Sequence, residues 1–437
     1  MLLGISILLS TIACAALFFA TEFGILAIYF ARPFVDTAWK HFIIFGFKLT
    51  ELVSVLVPVI TFVIVITNMG TKKSVANMPF FKFWMFYIFY IFCFSINIMI
   101  NSTVADGASV LFRYLNGFVG FYLVQAYFLQ EKKMKLFFFA LAIAGIFPIA
   151  QGVFEAITGI HWSVTTAEGQ VRNIGMYHDA ITIRYYGLQT LLAVAACFAF
   201  EYPKNSFIKV GLLGLLFGSL LTVYKALSKS GLMTLALWSA VWSYGRRSWV
   251  FPGVILLAAL IVVPIYFKEI SDTVFNQFHK EIGAISGDVA ANRTFAGRWY
   301  IWEQLWKEWA GFTFMQKMFG SGQAAFGAHN DFMQMLFSGG YVGLVMYASF
   351  ILAIGWNLVV IYFSSRHILG ALALMAFIMW VIDSIGLVPS LYSGYQWFVW
   401  GIIGLCLRYE SDQKQRKVTF NSDSNFKHHP GTIVAKR

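Results

Sequence analysis

Charge is what this chain has least of. Asp, Glu, Lys and Arg supply only 12% of its 437 residues, while 59% are hydrophobic and 18% aromatic, and the mean hydropathy is +0.71. So little charge excludes a water-soluble globular protein and places the chain among integral membrane proteins. Cysteine is scarce too. Cys14, Cys93, Cys197 and Cys406 all fall in apolar stretches, with no pair spaced for a metal site. They read as buried packing residues, which argues against a disulfide framework or a zinc site. No Lys or Arg precedes the first apolar run, and no small-residue cleavage site follows it, so a cleavable signal is not expected. The two halves show no repeat, unlike transporters built from related halves.

Apolar runs recur from end to end. A bilayer core of roughly 30 Å needs about 20 apolar residues per helix, and the spans fall at about 3–30, 48–67, 80–100, 108–129, 136–154, 180–200, 206–224, 230–245, 250–267, 334–362, 368–387 and 394–408. Barrel strands would be shorter and strictly alternating. An all-α bundle of about twelve transmembrane helices is therefore expected over residues 1–408. The first run is long and interrupted by Thr21-Glu22, so it reads either as one tilted helix or as a span followed by a surface helix.

Cations set the orientation. With the N-terminus taken as cytoplasmic, the inner loops carry Lys72, Lys73, Lys132, Lys133, Lys135, Lys204, Lys209, Arg246, Arg247 and Arg366 against only Glu131 and Glu201. That is the positive-inside bias of short loops. Both termini are then cytoplasmic and the long polar segment 268–332 lies outside. Residues 409–437, with Lys414, Arg416, Lys417, Lys427, Lys436, Arg437 and an incidental His428-His429, read as a disordered basic tail. The net charge of +12 is spread over loops that face the inner leaflet, which favours anionic membrane lipids as the partner over nucleic acid.

Positive residues on the outer side need another explanation. Arg172 and Arg184 bracket the outer end of the sixth span, Lys225 and Lys229 sit in a tight turn, and Arg293 and Arg298 open the helical part of the long loop. An ionisable side chain at membrane depth is costly enough to suggest function. Snorkelling of Lys225 and Lys229, and a pair between Arg172 and Glu168, are the plainer readings. A convergent set of guanidinium and ammonium groups suits a phosphate or diphosphate. After Arg298 come Trp299, Trp302, Trp306 and Trp309, which share one helical face. That face lies either on the outer membrane surface or against the protein's own helices. The Gly-rich turn from Gly320 leads into His329-Asn330-Asp331 at the edge of the next span. His329 is a candidate base, and Asn330 or Asp331 is a candidate helix cap. Asp383, at the outer end of a late span, is a candidate counter-charge to the cations.

Arg298 with Trp302, Gly320-Ser-Gly322, His329-Asn330 and the following Gly339-Gly340-Tyr-Val-Gly343 resemble the signature of the O-antigen ligase and Wzy-type polymerase superfamily. Arg172-Asn-Ile-Gly175 resembles that family's arginine before a span, and Arg32-Pro33 also fits. Ser228-Lys229-Ser230-Gly231 stands where the family often has Ser-Arg-Gly; Lys keeps the charge and loses the bidentate geometry. The resemblance runs from Arg32 to about Arg408. It implies a GT-C-like, inverting glycosyltransferase of the bacterial inner membrane, without cofactor or metal, acting at the periplasmic face. The implied donor is an undecaprenyl-diphosphate-linked glycan. The acceptor is a glycan, for a polymerase of O-antigen, capsule or exopolysaccharide repeats, or lipid A-core, for a ligase. A chain-length regulator is a candidate partner of a polymerase. His329 is then expected to position or deprotonate the acceptor hydroxyl. Arg298, Arg172 and Lys229 are expected on the diphosphate, with Arg184 and Lys225 as second choices and Asn330 and Asp331 beside the substrate. A flippase or transporter of lipid-linked glycans is the alternative of another class.

Overall fold

The computed structural model describes residues 1–44, 47–167, 170–246, 253, 278–279, 282–284, 286–290, 297–323, 327–365 and 367–426. The span expected at 250–267, apart from Gly253, together with Glu168, Arg247, Lys268, Arg293, Arg366 and the tail beyond Phe426, lies outside the described residues.

The molecule is an all-α membrane protein. Among the described residues, nine helical segments are long and apolar enough to cross a bilayer. The expected first span is two helices, α1 (Leu2–Phe19) and α2 (Thr21–Thr37), broken at Ala20. They fold back on each other. Ser6 Oγ donates to the Phe34 carbonyl at 2.8 Å, and Gly24 lies so close to α1 that a Cβ there would sit 2.1 Å from Leu17 N. Then follow α3 (Leu49–Thr67), α4 (Phe81–Asn101), α5 (Val104–Tyr127), α6 (Glu131–Ala144) and α7 (Ile146–Thr158). Next come α8 (Ala180–Ala199), α9 (Ser206–Lys225), α10 (Lys229–Arg246), α11 (Arg298–Ala310) and α12 (Phe314–Phe319). The chain closes with α13 (Asp331–Ser365), α14 (Ile368–Gly386) and α15 (Ser393–Phe426). Two small antiparallel hairpins, Phe42–Ile44 with Phe47–Lys48 and Thr165–Ala167 with Gln170–Arg172, precede α3 and α8.

Side-chain caps start several helices: Thr103 accepts from Asp106 N, Asn205 from Phe207 N, and Asp179 from Thr182 N. An aromatic core holds the middle together. Trp84 packs edge-on to Phe350 at 4.7 Å and to Trp400 at 5.7 Å, and Trp380 meets Trp400 at 5.3 Å.

The bundle has two chemically distinct ends. At one, Glu22 contacts Lys133 and lies 4.0 Å from Lys73. At the other, Arg32 pairs with Asp36 at 2.8 Å, and Asp36 accepts from Tyr185 and Tyr186 at 2.7 Å each. We call these the lysine end and the arginine end. They correct two expectations. Because α1 doubles back along α2, Met1 lies at the arginine end, whereas α15 runs past Arg408 at the lysine end, so Met1 and the described end of α15 lie at opposite ends of the bundle. The tail expected to be disordered from 409 continues as helix to Phe426, since no helix-breaking residue occurs before Pro430.

Candidate active site

The arginine end gathers the loop after α7, the α9–α10 turn, the start of α11, the 320–330 turn and the segment between α14 and α15. Each is tied down by named contacts. Buried Glu155 on α7 accepts from Gly175 N at 2.9 Å and from Trp162 N at 3.2 Å, and Gln151 accepts from Met176 N at 2.8 Å. These bonds shape the loop that carries Arg172. Arg172 Nε then donates to the Ala226 carbonyl at 2.8 Å, and Asn173 N donates to the Lys225 carbonyl at 3.1 Å. The Arg172 loop and the α9–α10 turn are thereby one unit.

The glycines explain the turn before His329. Helix α13 is interrupted at Gly340, with φ 65° and ψ −167°. A Cβ there would lie 2.5 Å from Met318 C and 2.6 Å from Gly320 N, and one on Gly320 would lie 1.8 Å from the Ser338 carbonyl oxygen. Backbone crosses backbone at this point, which only glycine permits. The Ser321 N–H donates to the Phe337 carbonyl at 3.2 Å, and Trp302 Nε1 donates to the Ala328 carbonyl at 2.7 Å. His329 stands exposed at the end of this turn in the left-handed region, φ 48°. Asn330 caps α13 by accepting from Met333 N at 2.9 Å, and its amide donates to the Ile385 carbonyl at 3.0 Å.

Arg172, Arg184 and Arg298 lie within electrostatic reach of one another. Burial pushes Arg172 down to about 10, the Arg184 and Arg298 guanidiniums act in the same direction, and Asp179 opposes them. Burial and then Arg184 also lower Arg298. Burial, followed by the positive charge of Arg298, lowers His329 below its ordinary value. Arg298 Nη1 reaches 3.3 Å from the position a Cβ on Gly386 would take. Among the described residues, neither Arg172 nor Arg298 has a carboxylate within ion-pair distance.

Not every expected ligand is available. Arg184 is 1% exposed and paired with Asp383 at 2.7 Å; it also donates to Ser228 Oγ at 2.8 Å and contacts Ser230 Oγ. Asp383 further accepts from Tyr395 at 2.8 Å. The two serines of Ser228-Lys229-Ser230 therefore address Arg184, and the pair closes on itself as a buried structural tie. Asp331 is likewise enclosed, 1% exposed, accepting from Ser390 at 2.8 Å, Tyr347 at 3.1 Å and Ser384 at 3.2 Å. Lys225 and Lys229 lie over rings, 5.7 Å from Tyr224 and 5.3 Å from Phe278. The tryptophan stripe divides. Trp309 is buried and meets Tyr341 edge-on at 5.2 Å, whereas Trp299 and Trp306 are exposed. The protein thus takes part of that face and leaves part uncovered.

One further arrangement involves residues outside the expected set. His178, exposed, has Nδ1 3.3 Å from Asp179 Oδ2, and Asp179 also accepts from Tyr392 at 2.8 Å. The bond to Asp179 raises His178 above its ordinary value. Burial works to raise Asp179, but bonds from His178, Thr182 and Tyr392 outweigh it and hold the carboxyl low. The adjacency of His178 and Asp179 was the available signal.

A polytopic helical membrane protein with a net-positive, partly water-facing cluster at one end is the class defined by this fold and site. Residues 213–348 match the family model described as O-Antigen ligase, which supports the O-antigen ligase and polymerase superfamily. The matched stretch holds the α9–α10 turn, Arg298, the Gly-Ser-Gly turn and His329; Arg172 and Arg184 lie before it. No curated protein matches the chain.

Proposed function

We propose that the protein is an inverting glycosyltransferase that uses an undecaprenyl-diphosphate-linked glycan as donor at the arginine end. That end faces the periplasm, the lysine end faces the cytoplasm, and the spans lie in the bacterial inner membrane. The observation that carries this reading is that Arg172 and Arg298 stand without a carboxylate partner among the described residues, next to an exposed imidazole, on a scaffold whose α9–α13 region matches the O-antigen ligase family model.

In the reaction an acceptor sugar hydroxyl attacks C1 of the donor from the face opposite the leaving group. The new C1–O bond forms as the C1–O bond to the diphosphate breaks, its electron pair stays on the diphosphate, and His329 takes the hydroxyl proton. Arg298 and Arg172 stabilise the developing negative charge. Fixed guanidiniums supply that charge, so chelators are expected to leave the rate unchanged. His329 is suited to accept a proton because burial and the Arg298 charge lower it below its ordinary value, which favours the neutral ring. Asn330 fixes the turn that carries it. Lys229 and Lys225 flank the diphosphate, while Arg184 serves through its tie to Asp383.

The favoured acceptor is a second lipid-linked repeat unit, as in a polymerase, with a chain-length regulator as candidate partner. The description of the matched model as O-Antigen ligase favours lipid A-core as the second reading. Offering purified protein the same donor with either acceptor separates them: a ladder of lengthened lipid-linked glycan marks a polymerase, and label moving to lipid A-core marks a ligase. Neither product would overturn both.

A further inference from the structure

A basic cavity lies at the opposite end of the bundle from the proposed chemistry. It encloses ≈ 220 Å³ between α2, the turn after α3, α5, α6 and α15, with Lys72, Lys73, Lys133 and Arg408 facing Glu22 and Asp412. Four cations against two carboxylates leave it net positive. Its walls are fixed: Tyr122 donates to the Lys73 carbonyl at 2.8 Å, the Lys73 ammonium sits 4.0 Å above the Tyr127 ring, and Arg408 pairs with Asp412 at 3.0 Å. Glu22 engages Lys133 and, at 4.0 Å, Lys73. Lys72 has no ion pair among the described residues.

We infer that this cavity binds the phosphate headgroup of an anionic phospholipid. Basic pockets between transmembrane helices at a membrane face take such headgroups. The volume is below the roughly 300–1,000 Å³ of pockets that enclose a drug-sized ligand, so a headgroup fits where a sugar nucleotide does not. The surroundings point to a lipid as the source of the phosphate. Phe19 and Phe23 beside Glu22, and Ile66 and Met69 ahead of Lys72, are 63–84% exposed, which gives acyl chains an apolar path from the cavity. The phosphate would be held by Lys72, Lys133 and Arg408.

The test uses the full chain in detergent, measuring affinity for short-chain phosphatidylglycerol, short-chain phosphatidylcholine and inorganic phosphate. Phosphatidylglycerol is expected to bind at least tenfold tighter than either of the others. Lys72→Gln, an exposed and structurally safe change, is expected to weaken it about fivefold, from about 1 kcal/mol per cation near the surface. Lys132→Gln, outside the cavity, is expected to change nothing. Glu22→Gln removes a competing anion and is expected to tighten binding several-fold, a sign that loss of packing would not produce. Equal binding of both lipids, equal effects of Lys72→Gln and Lys132→Gln, or inorganic phosphate binding as tightly as phosphatidylglycerol would each overturn the inference.

Discussion

Replacing Arg184 with alanine should damage the fold, whereas replacing Arg298 should damage the reaction. Arg184 and Asp383 are 1% and 2% exposed and 2.7 Å apart. Removing one partner of such a pair strands a charge, at a cost of about 3–5 kcal/mol. Ser228 and Tyr395 lose a shared partner network as well. The Arg184→Ala protein is therefore expected to accumulate poorly or to melt several degrees lower. The double change Arg184→Met with Asp383→Leu removes both charges and is expected to recover most of that loss. Arg298 is only half-buried and has no carboxylate in ion-pair range among the described residues. Arg298→Ala should leave the melting point nearly unchanged and lower turnover about 100- to 1,000-fold, or about 2.7–4 kcal/mol. Thermal unfolding of purified protein, run beside a gel assay with lipid-linked donor, reads both quantities. If Arg184→Ala melts like the parent and loses only turnover, Arg184 is a substrate ligand and the buried tie is misread.

Three further outcomes are expected. Gly340→Ala forces a side chain into a φ of 65° and against Met318 and Gly320. It should destabilise by about 1–3 kcal/mol and cost about 100-fold in turnover by shifting the His329 turn; parent-like melting and activity would refute the backbone crossing. If His329 is the base, it must be neutral to act, and because burial and Arg298 lower it, kcat/KM should fall only as pH drops below the range of an ordinary imidazole. An acidic limb above that range would move the role to His178, which Asp179 raises. In a chain with its four cysteines replaced, Ser286→Cys and Gly4→Cys should both react with a membrane-impermeant thiol reagent from outside intact cells, and Ser74→Cys should not. Protection of Gly4→Cys would return the N-terminus to the tail's side.

The fold class was legible because composition alone decides it, and most helix positions followed from the apolar runs. The first hairpin was not, since apolar sequence continues across Ala20 and only Thr21-Glu22 breaks it. Arg172 and Arg184 look alike in sequence, each beside a span. What distinguishes them is a carboxylate 199 residues away, and that separation exceeds any local pattern. Asp331 is a similar case: its neighbours in the chain suggest a rim, but Ser384 and Ser390, 53 and 59 residues further on, enclose it. The Gly-Ser-Gly turn and the Gly339-Gly340 pair were visible as isolated signals, whereas their contact with each other belongs to the folded molecule.

The most direct test of the central claim is glycan transfer by the purified protein alone. In nanodiscs, with undecaprenyl-diphosphate-linked glycan, an acceptor and EDTA, new glycosidic bonds and release of undecaprenyl diphosphate are expected at the rate seen without chelator. His329→Ala should lose about 100- to 10,000-fold of that rate while still binding donor. Transfer that collapses with EDTA and returns with magnesium or manganese, or movement of intact donor across the membrane without any new glycosidic bond, would contradict it.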